Sequence, residues 1–420
     1  MQDIQEQLAA LRQRIARIDV RFGSRPARVV PSPAAGVQSD TEEPPAGGLV
    51  PGNEVETEFG RHFEMDRSWE SHKSHGSADI GALCELPHDL LHAISDGAAP
   101  SVSPQNWAFL DTETTGLAGG SGTYAFLVGV GRITPAGFHV RQFFMRDYGE
   151  EASSLSALTK YLESFQVLIT YNGRTFDQPL LETRYRMARQ KPPFARMEHL
   201  DLLFGARRLW KLRFESCRLV ELENQILGVE REGDIPGAMI PYVYFDFLRR
   251  KNASRLMPVF YHNAMDILTL GCLTGIVPWA FQSPERAPLR HGAEMVGLGR
   301  WLRQAEQYDS ALKLFRRGIE SGLSDELLFR TMWDSAVLEK KLDQMHAAIA
   351  GFTELTASRN PYRARAYEEL AKHYEHSEKS YEMALEMTRC ALAIEDTVEL
   401  RKRELRLMKR SQVRKPRRLV

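Results

Sequence analysis

One apolar run closed by two acids, Trp107-Ala-Phe-Leu-Asp-Thr-Glu-Thr-Thr-Gly-Leu117, limits the possible folds of this chain more than any other stretch. A short apolar run before a glycine reads as a buried strand. Alternate side chains of a strand share a face, so Asp111 and Glu113 point the same way. Two like charges at the end of a buried strand are costly unless a cation sits between them. The Gly-rich segment Ala118-Gly-Gly-Ser-Gly-Thr-Tyr124 allows a tight turn into Ala125-Phe-Leu-Val-Gly-Val-Gly-Arg-Ile133. It lacks the Gly-Lys-Ser/Thr ending of a phosphate loop. A third strand is expected at 138–145, a helix at 151–165, a fourth strand at 167–171, a helix at 178–189, a short strand at 196–203 and helices to about Phe281. Three meandering strands followed by alternating helices and strands predict an α/β domain, a mixed sheet flanked by helices.

The flanking regions have other textures. Leu8, Leu11, Ile15 and Ile18 suggest a short helix over residues 1–22, and Pro, Gly and Ser make 23–53 read as a disordered linker. Residues 54–104 form an N-terminal extension whose histidines, His62, His72, His75, His88 and His92, read as surface or packing residues for want of a metal-ligand pattern. The α/β domain spans 105–282. Within it, Leu219 to Leu227 argue a helix stopped by Gly228, and the segment from Asp234-Ile-Pro-Gly237 to Ile240-Pro-Tyr-Val-Tyr-Phe245 reads as a structural loop leading into another helix, a loop that covers the acids being the alternative.

From 291 to 400 the chain is helical, with Ala311-Leu-Lys-Leu-Phe315, Ala348-Ile-Ala-Gly-Phe352 and Ala384-Leu-Glu-Met387 recurring at spacings of 37 and 36 residues. That period predicts stacked helical hairpins. The unit resembles a tetratricopeptide repeat, which would make it an all-α protein-binding module; a plain helical bundle is the alternative. Residues 401–420 form a basic tail with ten Lys or Arg and one acid, Glu404. Formal charge over the whole chain is zero, so any nucleic-acid site must be local. Four scattered cysteines and the lack of an 18-residue apolar run predict a cytoplasmic protein with reduced thiols and no membrane partner.

Two further carboxylates decide whether the first pair means anything. Asn172-Gly-Arg-Thr-Phe176-Asp177 puts Asp177 just past a strand end, and Tyr261-His262-Asn263-Ala264-Met265-Asp266 opens an apolar helix on which His262 and Asp266 share a face.

Here the chain resembles the DEDD group of 3′→5′ exonucleases, the DnaQ-like branch of the ribonuclease-H-like superfamily. The matches are Asp111-Thr-Glu113, Asn172-x-x-x-Phe176-Asp177 and His262-x-x-x-Asp266. The Gly-rich turn and the trailing repeats look like the YprB-type bacterial proteins. The resemblance implies two Mg²⁺ or Mn²⁺ ions held by Asp111, Glu113, Asp177 and Asp266, and hydrolysis of DNA or RNA from a single-stranded 3′ end. It implies substrate contacts from Thr114, Thr115, Gly116, Leu117, Asn172 and Phe176. The group places either His five residues before the last acid or Tyr four before it, whereas here Tyr261 stands at five and His262 at four. His262 suits proton transfer near neutral pH, and Tyr261 is the alternative base. A second functional class is a nucleic-acid-binding adaptor with weak or no catalysis, recruiting a protein through its repeats.

Overall fold

Trp107–Thr114 forms a strand whose alternation sorts two cores: Trp107 and Phe109 face one side, Ala108 and Leu110 the other. The computed structural model describes residues 51–116 and 122–413; the expected helix at 1–22, nearly all of the linker, Leu117 and the end of the basic tail lie outside them. The strands are β1 (Asn53–Thr57), β2 (Gly60–Glu70), β3 (Ser74–His75), β4 (Ala78–Asp79), β5 (Trp107–Thr114), β6 (Ala125–Thr134), β7 (Gly137–Phe144), β8 (Val167–Thr170) and β9 (Glu198–Asp201). Seven make one sheet in the order β1-β2-β7-β6-β5-β8-β9, and β3 and β4 pair separately. The meander β5, β6, β7 is antiparallel, and β8 and β9 add in parallel beside β5, the mixed sheet that the sequence predicts.

The sheet extends beyond the 105–282 span. Within the N-terminal extension, β2 pairs along β7 from Phe63 to Glu70, and β1 closes that edge. Buried His62 makes this possible: its ring is hydrogen-bonded to Ser153 at 2.9 Å and to Glu64 at 3.0 Å. A polar pair thereby occupies a buried face of a strand that reads as charged.

One face of the sheet carries α1 (Glu151–Leu162) and α2 (Asp177–Met187). Across the other run α3 (Leu202–Trp210), α4 (Ile240–Arg250) and the long α5 (Met257–Gln282). By length and mean hydropathy Ala253–Gln282 could cross a membrane, although His262, Asn263 and Asp266 interrupt its apolar run. Its most apolar window is 78% buried inside the protein, so packing against the sheet accounts for its composition.

Glycines set how closely α5 approaches. A Cβ on Gly129 of β6 would lie 2.2 Å from Asn263 Oδ1 and 2.3 Å from Ile267 Cδ1, and one on Gly131 would lie 2.5 Å from Ile267 Cγ2. Gly129→Val is therefore expected to push α5 off the sheet at a cost of about 1 to 3 kcal/mol, read as a lower urea midpoint. An unchanged midpoint would mean that the approach is not tight.

Among the described residues seven helices follow: α6 (Gly292–Gln304), α7 (Tyr308–Glu320), α8 (Asp325–Lys341), α9 (Met345–Ala357), α10 (Arg363–His376), α11 (Tyr381–Leu392) and α12 (Val398–Val413). The second helices of successive pairs begin at Tyr308, Met345 and Tyr381, reproducing the sequence period. The first pair belongs to the main core: Met295, Val296, Leu298, Trp301 and Leu302 share one apolar cluster with Ala206, Leu209, Trp210 and Phe281. Part of the basic tail is α12, where Arg403, Arg406 and Arg410 converge on the buried carboxylate of Glu375 at 2.8 to 3.2 Å.

Candidate active site

Strand parity brings the predicted acids to one edge of the sheet. Asp111 continues the face of Trp107 and Phe109 and so meets α5, where Asn263 donates its side-chain N–H to Asp111 Oδ2 at 2.8 Å. Asn263 is itself fixed, because Gln142 of β7 donates to its Oδ1 at 2.8 Å. Thr112 points to the opposite face and donates its hydroxyl to Asp177 Oδ1 at 2.5 Å. A register shift between Glu113 and Thr114 ends the regular pairing with β6 there.

Asp177 is the first residue of α2. The loop before it is held by the buried Asp201 at the end of β9, which accepts from the Asn172 N–H at 2.7 Å and the Arg174 N–H at 3.2 Å. Asn172 takes a left-handed φ of 68°, which asparagine tolerates better than most residues, so it has a turn-forming role in its own right. Phe176 projects into solvent, 57% exposed. The Thr114 hydroxyl donates to Gly116 O, and the Thr115 hydroxyl accepts from the Tyr124 N–H, each at 2.9 Å, tying the strand end to the far side of the glycine turn.

The two candidate bases separate. The Tyr261 ring lies against Arg67 of β2, whose guanidinium carbon is 5.4 Å from its centroid. His262 Nδ1 is 2.9 Å from Asp234 Oδ2, and its Nε2 is 3.7 Å from Asp266 Oδ2 one helical turn on. Asp234, which lies in the loop expected there, is thus the partner that orients the imidazole. Arg231 was equally invisible to sequence reasoning. Its buried guanidinium spans Glu223 at 2.6 Å, Asp234 at 3.3 Å and Asp266 at 2.7 Å. Glu223 sits in a π-helical turn, Glu223–Leu227, ending at Gly228 with φ 72°, where the sequence places the stop.

Electrostatics mark the acids as a group. Burial first, then the charges of Asp266 and Asp177, hold the Asp111 carboxyl well above its usual range. Burial and the same neighbours, Asp111 foremost, do so for Glu113. Burial raises Asp177 to about 6 against the pull of Thr112, and raises Asp266 despite His262 and Arg231. Burial alone would lower His262, but the Asp234 hydrogen bond and the charges of Asp266 and Asp234 outweigh it, so its pKa is raised.

Among the described residues no three His, Cys, Asp or Glu side chains already stand close enough together to hold a metal ion. The donor set nevertheless fits one: four carboxylates offer the oxygen ligands that hard divalent cations take, and their shared repulsion is what a cation would relieve. A consequence can be measured without metal. A carboxyl whose folded pKa is raised binds protons more readily folded than unfolded, so it costs stability as pH rises from its unfolded to its folded value. Asp177→Asn should therefore gain stability over wild type as pH rises from about 4 to 6, followed by chemical denaturation in EDTA. A constant gap across that window would mean that Asp177 is not strained.

Residues 108–277 match the RNase_H superfamily. The Bacillus subtilis (strain 168) protein named Uncharacterized protein YprB is 33% identical over 306 residues, which cover 72% of this chain and 72% of that protein.

Proposed function

Because the chain belongs to the family of YprB, with an RNase_H superfamily domain, we propose that it is a metal-dependent 3′→5′ exonuclease of the DEDD type acting on single-stranded DNA or RNA. Superfamily members of this fold are typically nucleic-acid hydrolases, and its nucleases generally use divalent metals. The observation that supports the finer reading is that Asp111, Glu113, Asp177 and Asp266 border one buried region beside His262, with every carboxyl raised in pKa.

In this reading Asp111, Glu113, Asp177 and Asp266 would hold two Mg²⁺ or Mn²⁺ ions, with Glu113 and Asp266 on the side of the attacking water. Bound there, the ions supply a more acidic water and charge to offset the leaving alkoxide. His262, held by Asp234, accepts the water's proton at Nε2. The backbone from Thr114 to Gly116 and the exposed Phe176 ring meet the terminal nucleotide, the ring offering a face for base stacking.

Because Asp234 both orients His262 and raises its pKa, Asp234→Asn should lower kcat roughly 10- to 100-fold and move the acidic limb of the pH–rate profile to lower pH. An unmoved limb would separate Asp234 from the base. The proposal itself is tested with a 5′-labelled single strand and its circular form in Mn²⁺. Progressive shortening of the linear strand from the 3′ end with the circle intact supports it, and cutting of the circle contradicts exonuclease action.

A further inference from the structure

We propose that Arg231 is an internal competitor of the divalent cation for Asp266, so that loading the carboxylate site requires Asp266 to leave the guanidinium. The inference rests on the metal-site reading above and deepens it. Arg231 Nη2 lies 2.7 Å from Asp266 Oδ1 in a buried ion pair, and the guanidinium charge pulls the Asp266 carboxyl down against its burial. The guanidinium is anchored independently of Asp266: its Nε meets Glu223 Oε2 at 2.6 Å, and Glu223 is fully buried and fixed by Thr269 at 2.6 Å and His75 at 3.0 Å. Its Nη1 meets Asp234 at 3.3 Å. Arg231 can thus release Asp266 while keeping its two other partners, so a local side-chain rotation of Asp266 suffices. His75 comes from the β3–β4 hairpin, which links the N-terminal extension to the site.

The test is Mn²⁺ titration of the full-length, EDTA-stripped protein by calorimetry, with no nucleic acid present. Arg231→Gln should bind Mn²⁺ at least tenfold more tightly than wild type, whereas Arg231→Lys, which keeps the charge, should stay within about threefold of it. A structural role alone would weaken binding in both variants, and that result, or an unchanged affinity in Arg231→Gln, overturns the proposal. If the variants do not fold, a structure of the wild type with Mn²⁺ decides. The Arg231–Asp266 pair should have opened, and a pair still at 2.7 Å beside bound metal overturns it. Wild type that binds no Mn²⁺ overturns the metal site itself, an outcome distinct from failure of Arg231 alone.

Discussion

Replacing Asp111 with Asn is expected to abolish nucleic-acid hydrolysis while making the metal-free protein more stable. Asp111 receives the Asn263 hydrogen bond, and its carboxyl is raised by burial and by Asp266 and Asp177. An amide of the same shape keeps the acceptor for Asn263 and removes one repelling charge. Relieving a strained functional site in this way commonly stabilises by about 0.5 to 2 kcal/mol. Activity should move oppositely. The charge stabilisation that metals supply is worth several kcal/mol, and each 1.36 kcal/mol is a decade, so a loss on the order of 10³-fold or more is expected. Thermal melts in EDTA read the first effect and a labelled-strand assay the second. Loss of activity together with loss of stability would mean that Asp111 is structural.

The second large effect concerns the helices after the α/β domain. Removing residues 291–420 is expected to leave an aggregating chain rather than a trimmed enzyme. The seam between α3, α5 and α6 is as close as a core contact: a Cβ on Gly297 would lie 2.7 Å from the carbonyl oxygens of Arg208 and Leu209, and one on Gly205 would lie 2.7 Å from Val277. The rings of Phe281 and Trp301 stand 4.5 Å apart, and Arg213 reaches Glu294 at 2.6 Å. Exposing Leu209, Trp210, Val277 and Phe281 would cost about 1.5 to 3 kcal/mol each, which together rivals the ~5 to 15 kcal/mol of a whole domain. Size-exclusion chromatography and circular dichroism of the truncated protein check this. A monodisperse, cooperatively melting fragment would show that the α/β domain stands alone.

The sheet from β5 to β9 was legible because its signals are local: apolar runs of strand length, punctuated by glycine, with acids at their ends. Strand parity puts Asp111 and Glu113 on one face and helix spacing puts His262 beside Asp266, while the grouping of Asp177 and Asp266 with the first pair rests on the resemblance to the DEDD exonucleases. Strand β2 was harder to see, since His62, Glu64 and Asp66 break up Phe63, Met65 and Trp69. The alternation is there, but only the pairing of His62 with Glu64 and Ser153 explains why polar side chains are tolerated inside. The surroundings that tell His262 from Tyr261 could not be read from spacing, because Asp234, which meets His262 Nδ1, lies 28 residues away. Glu223 and Arg231 were illegible for the same reason: a buried ion pair made across a π-helical turn leaves no periodicity. One available signal was the Asp-Ile-Pro-Gly punctuation at Asp234, an acid in a rigid turn shortly before the third motif.

The most direct test of the whole account is hydrolysis of a labelled single strand by wild type, Asp111→Asn and Asp266→Asn side by side, with Mn²⁺ and with EDTA. The four-carboxylate site predicts cleavage by wild type in Mn²⁺ only, and by neither variant. Cleavage that persists in EDTA, or that both variants retain, would contradict it.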